Sequence, residues 1–71
     1  MDINNLDLRG AVMYKMHGSS ENDIRDTIQD AIVTKQEKTL PGLGVLFELL
    51  WNQSNPQEQN RMIEVIHNKL Q

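Results

Sequence analysis

Leu40-Pro41-Gly42-Leu43-Gly44-Val45-Leu46-Phe47-Glu48-Leu49-Leu50-Trp51 is the stretch whose reading decides how this chain folds. Pro41 suits the first turn of a helix, where its missing N–H costs nothing. Wound at about 100° per residue, the segment centres Leu43, Leu46 and Leu50 on one face. Leu40, Phe47 and Trp51 form one flank, and Gly42 and Leu49 the other. Only Pro41, Gly44, Glu48 and Asn52 make a clearly non-apolar strip. A helix that is apolar nearly all round is normally buried in the middle of a structure. The expectation is an all-α fold, a small compact bundle of about four helices with a central apolar third helix, in a single domain over residues 1–71.

Two coverings of that wide arc are open. Three amphipathic neighbours within the chain can bury it, or the Leu40/Phe47/Trp51 flank stays uncovered and serves as a dimer or partner surface. The two are compatible if the domain folds as a dimer. Gly42 and Gly44 both weaken a helix and so need a reason. A Gly-x-Gly before a helix can approach a phosphate, but here neither the rest of a dinucleotide fingerprint nor the lysine of a P-loop follows. Close packing of a neighbouring helix, or an irregular first turn, is the better account.

Upstream, a first helix is expected from about Leu6 to His17, capped by Asn5 or Asp7, with Leu8, Ala11 and Val12 on its apolar side. Gly10 weakens it and Gly18 stops it, in the left-handed position that favours glycine. A second helix is expected after Ser20, a good N-cap, and runs to about Thr34. Ile24, Ile28, Ala31 and Ile32 fall at i, i+4, i+7 and i+8, one apolar stripe. Asp23, Asp26 and Asp30 make an acidic opposite face, which reads as solvated surface before it reads as a contact for a basic partner. Lys35-Gln36-Glu37-Lys38 is a polar linker. Downstream, Ser54-Asn55-Pro56 signals a fourth helix with Asn55 as cap, Pro56 at its first position and Met62, Ile63, Ile66 and Leu70 as its stripe.

Composition narrows the function classes. Seventy-one residues without a cysteine leave neither disulfides nor thiolate metal sites to staple the fold. Stability must come from helix packing, self-association, or both. The net charge is −3, with seven basic residues against ten acidic ones. The basic residues, Arg9, Lys15, Arg25, Lys35, Lys38, Arg61 and Lys69, are scattered. A nucleic-acid binder normally shows a basic stripe, because phosphate neutralisation supplies most non-specific affinity. No segment reaches the ~18–20 apolar residues that would span a bilayer. Met1-Asp2-Ile3-Asn4-Asn5 is acidic and polar where a signal peptide is basic and then apolar, so the chain is expected to stay in the compartment where it is made.

Candidate chemistry is sparse. His17 and His67 lie near helix ends without a second ligand at metal spacing, since Glu64 and His67 make one helix-face pair and no more. Ser19, Ser20 and Ser54 stand at turns and read as caps. Glu48 is the one carboxylate within the apolar helix. Buried, it would have a raised pKa of the kind catalysis uses, but no partner acid, base or ligand accompanies it. No catalytic, metal or cofactor-binding residue and no small-molecule substrate is assigned. The expected interaction surface is Leu40, Phe47 and Trp51.

Asp26-Thr27-Ile28-Gln29-Asp30-Ala31-Ile32, a linker with Glu37-Lys38, and the run Leu40 to Glu48 through Trp51 together resemble the small acid-soluble spore protein I family. Leu8-Arg9-Gly10-Ala11-Val12 is similar to that family's N-terminal stretch. The resemblance covers nearly the whole chain. The fourth helix matches in character more than in letters, and the N-terminus is slightly longer than is usual for the family. The resemblance implies a minor protein of the spore core of endospore-forming bacteria, made in the forespore, with no catalytic residue to carry over. The major α/β-type spore proteins, which coat DNA, are a different family, and their motifs are absent. The expected role is structural or storage-type, through self-association or contact with another spore protein. A DNA-associated spore protein is the alternative.

Overall fold

In a computed structural model, the structure describes residues 5–71, with side chains from Leu8 onward. The reading of Met1 to Asn4 and of the first helix's cap at Asn5 or Asp7 therefore lies outside the described residues and side chains. Four helices follow one another: α1 (Asn5–Met16), α2 (Glu21–Thr34), α3 (Leu40–Gln53) and α4 (Pro56–Lys69). A short 3-10 turn, Glu37–Thr39, leads into α3. No strand occurs among the described residues, so the all-α expectation holds, as does the central place of the third helix.

The chain punctuates its helices with local chemistry. Gly18 takes φ +80° just past α1, where a side chain would meet the following carbonyl. The Ser20 hydroxyl accepts from the Asp23 backbone N–H at 3.0 Å and caps α2. Lys35 ends α2 at φ 55°, a left-handed conformation that lysine seldom adopts. At α4 the Asn55 carbonyl oxygen accepts from the Glu58 backbone N–H at 2.8 Å, and Glu58 in turn accepts from the Asn55 N–H at 2.9 Å. Two orphan donors of the helix start are satisfied reciprocally. Thr39, by contrast, makes no cap for α3; its hydroxyl donates back to the Gln36 carbonyl at 2.7 Å and so closes the 3-10 turn.

Helices α1 and α2 both pack on α3, while α4 touches it more lightly. Among the described side chains only Val45 is fully buried, at 6% exposure. This corrects the expected core face. Leu43 and Leu46 are half-buried, but Leu50 remains 53% exposed, because α1 approaches α3 from the Val45 side and nothing lies over Leu50. Of the two accounts of the glycines, close packing is corrected, whereas a 3-10 turn does lead into the first turn of α3. Among the described residues, a Cβ at Gly42 or Gly44 would meet no atom within 4 Å, so no described neighbouring helix packs closely there.

The bundle is open on the α4 side. Its accessible surface is 6385 Å², against about 4,500 Å² for a folded monomer of this mass. Its radius of gyration is 13.6 Å, where a close-packed chain of this length would have about 11 Å. Among the described residues no helix is long and apolar enough to cross a membrane.

Candidate interaction surface

The sequence grouped Leu40, Phe47 and Trp51 on one flank of α3, and the structure divides them. Phe47 and Trp51, one turn apart, bring their rings to a centroid distance of 5.8 Å with planes tilted by 36°. This is an ordinary aromatic pairing distance, which gives the flank a defined shape. Leu40 sits two turns earlier and borders a different cleft, with Ala31, Ile32 and Leu43 at the end of α2. Phe47 is 42% and Leu40 60% exposed, and Trp51 is half-buried.

What Phe47 and Trp51 face is α4. With Glu48, Asn52, Ile63 and Ile66 they line an open groove of about 280 Å³ whose exposed walls are mostly apolar. The groove is set by the Ser54–Asn55 turn. Ser54 donates its hydroxyl to the Leu50 carbonyl at 2.6 Å, and Asn55 starts α4 at once. The Gln59 side-chain amide then donates to the Trp51 carbonyl at 2.9 Å and ties the first turn of α4 to the last turn of α3. Beyond Gln59 the two helices are held less closely. Ile63, Ile66 and Leu70 of the expected stripe are exposed, while Met62 is half-buried. Leu50 adds a further open apolar side chain on α3.

Sequence reasoning named Phe47 and Trp51 but placed Leu50 in the core, and it counted Ile63 and Ile66 as α4's inward stripe. The apolar spacing was legible. Which neighbour would leave which side uncovered was not, because that depends on how α1, α2 and α4 distribute themselves around one helix.

The polar strip of α3 runs along the edge of this groove, where Glu48 and Asn52 lie. The Arg9 guanidinium forks onto Glu48, with Nε donating to Oε1 at 2.7 Å and Nη2 donating to Oε2 at 2.6 Å. Both side chains keep nearly half of their surface in solvent. The hydrogen bond from Arg9 holds the Glu48 carboxyl below its usual pKa, against an opposing push from desolvation, and the positive charge of Arg9 adds to the lowering. Arg9 is raised in turn, first by that hydrogen bond. The premise of a raised, base-like Glu48 is thereby overturned: its partner is a cation the sequence pattern did not reveal, thirty-nine residues away. Arg61 and Glu64 form a second, more exposed pair at 3.2 Å. Among the described residues no three metal-capable side chains gather, and His17 and His67 are both exposed.

A wider cleft of about 410 Å³ opens where α1, α2 and α3 meet, lined by Val12, Met16, Ala31, Leu43 and Leu46, with Lys15 and Asp30 among its polar residues. It borders Gly42, whose missing side chain leaves part of that space unfilled.

Comparison with known proteins comes down to one family. Residues 6–70 match the family described as Small, acid-soluble spore protein I. A protein of that name from Halalkalibacterium halodurans is 46% identical over 67 residues, 94% of this chain and 98% of that one. Its namesake in Bacillus cereus (strain G9842) is 44% identical over 63 residues, 89% of this chain and 91% of the other. The Bacillus cytotoxicus protein is 42% identical over 66 residues, 93% and 94% of the two chains. No solved structure matches.

Proposed function

This chain belongs to the small acid-soluble spore protein I family, and from that premise we propose that it is a structural or storage-type protein of the spore core that works through protein contacts and without catalysis. A spore protein is what the family membership gives. The finer reading rests on one observation: the apolar surface of α3 and α4 around Phe47, Leu50, Ile63 and Ile66 is left uncovered by the chain itself. Apolar patches of this extent mark contact surfaces in soluble proteins. The contact that needs no further component is self-association. Sedimentation equilibrium on the full chain tests this. A monomer–dimer equilibrium is expected, and a monomer at every attainable concentration overturns it.

The alternative, a DNA-associated spore protein, draws less support. Of seven basic residues, Arg9 and Arg61 are already engaged with Glu48 and Glu64. Phosphate binding would have to compete with those carboxylates and with a net charge of −3. A salt-dependent shift of duplex DNA near physiological ionic strength would revive it.

A further inference from the structure

We propose that α4 is a hinged lid, which swings about the Ser54–Asn55 turn and closes its own apolar stripe over Phe47 and Trp51. The structure shows the open position. Two residues, Ser54 and Asn55, separate the end of α3 at Gln53 from the start of α4 at Pro56. Both have extended backbone. Hinge closures place their change of φ and ψ in a few residues of this kind, at the ends of elements. Close to that pivot the Gln59 amide holds the Trp51 carbonyl at 2.9 Å. Beyond Gln59, among the described residues, no hydrogen bond or ion pair ties α4 to another helix; Arg61, Glu64 and His67 bond only within α4 and to Gln71.

The drive to close is the uncovered stripe. A helix of fourteen residues is marginal alone, and most helical stability in proteins comes from packing an apolar face. In the open position α4 lacks that packing, since Ile63, Ile66 and Leu70 are all exposed. Its ends are held by its own chemistry, a capping box between Asn55 and Glu58 at the start and Lys69 in the last turn. The helix therefore moves as one piece instead of needing α3 to form it.

The cover lies on the facing wall. Phe47 and Trp51 of α3 and Ile63 and Ile66 of α4 line one groove of about 280 Å³, so closing it brings apolar side chains together from both sides. Glu48 also lines that groove, but Arg9 already holds both of its carboxylate oxygens, so closure strands no unpaired charge. Both walls belong to one chain, and closure is free of the translational and rotational entropy that an incoming second chain loses. The lid stands apart from the self-association reading and competes with it. Closure hides Phe47, Ile63 and Ile66, while Leu50 lies outside the groove lining. The position of α4 thereby sets how much of the proposed contact surface is on offer.

The chain has no cysteine, so spin labels can be placed at will. Lys38→Cys, in the turn ahead of α3, and Lys69→Cys, at the end of α4, lie far from the hinge, where a swing shows most. Double electron–electron resonance on the full chain, diluted into an excess of unlabelled wild type, reads the distance within one chain. Two distances are expected, the longer matching the structure, and Ile63→Asp with Ile66→Asp should remove the shorter. If the Asp pair loses helix by circular dichroism, Ile63→Ala with Ile66→Ala, which favours helix, carries the same expectation. A control pair, Tyr14→Cys with Lys38→Cys, spans α1 and the turn into α3 and should give one distance that neither change moves. A single distance between positions 38 and 69 overturns the lid. So does a short distance that survives the loss of both isoleucines, or a control that splits in the same way. Sedimentation reads self-association separately, so a monomeric wild type overturns that reading and leaves the lid standing.

Discussion

At the scale of single residues, the ion pair between Arg9 and Glu48 is the most specific long-range contact among the described residues. It is a two-point fork, so it fixes the direction of both side chains as well as bringing opposite charges together. It also joins α1 to the polar strip of α3, on the side where Val45 is buried. Its exposure means that solvent screens it, and its contribution to stability is accordingly small. The dependence on pH has a definite sign. Glu48 has a lowered pKa in the folded chain, so the pair stabilises fully above the usual carboxylate value of 4.5. It is lost as pH falls through the lowered folded value. Glu48→Gln should therefore lower the Tm slightly at about pH 7, with the gap closing as both proteins are taken down to about pH 2. Thermal melts at stepped pH measure this, and a gap that stays constant into strong acid would show that the carboxylate charge is not what matters. Arg9 and Glu48 could not be paired from the sequence. Each looks like a solvated charge until α1 is laid along α3.

Among the elements, helix ends were the most readable part of the chain. Ser20, Gly18 and the Ser54-Asn55-Pro56 signal each carry a short-range mechanism, and the structure places each where that mechanism operates. The second helix was expected to end at about Thr34 and does so, although Lys35 there holds a left-handed position that glycine usually takes. For the glycines of α3, one of the two expected reasons, close packing, fails. A glycine in a helix suggests a close neighbour, and only the arrangement of the other helices could reveal that none comes within 4 Å of a Cβ at Gly44. Two opposite outcomes follow for stability. Gly44→Ala adds a methyl group in open space and removes glycine's excess unfolded-state entropy, so it should stabilise by roughly 0.5–1 kcal/mol. Asn55→Ala removes half of a capping box at a helix that α3 holds only lightly and should cost about 1 kcal/mol. For a domain of this size each kcal/mol moves Tm by about 4–8 °C. Melting curves of the two variants should therefore move in opposite directions from the wild type. A drop for Gly44→Ala would mean that the glycine is needed for a close approach between chains.

For the whole molecule, the question is how so open a bundle stays folded. A single buried described side chain, Val45, is a small core for four helices, and a chain this short has little stability in reserve even when it packs well. With no cysteine available, burial against another chain is the further source of stability that the proposed self-association would supply. The wide apolar arc of α3 was legible in the sequence, whereas whether the chain's own helices or a partner would cover it was not. If self-association supplies the missing burial, folding and assembly are linked by mass action. Each tenfold rise in protein concentration then favours the assembled folded state by up to about 1.4 kcal/mol per dimer. The Tm should rise by several degrees over a hundredfold range of concentration, roughly as that linkage requires. Trp51 provides a second reading of the same event, because it is the sole tryptophan and lines the open groove. Its emission should shift to the red on dilution at constant temperature, as the groove opens to water before the helices melt. A Tm and an emission maximum that both ignore concentration would mean that the chain is stable alone, with Phe47, Leu50 and Ile66 in water.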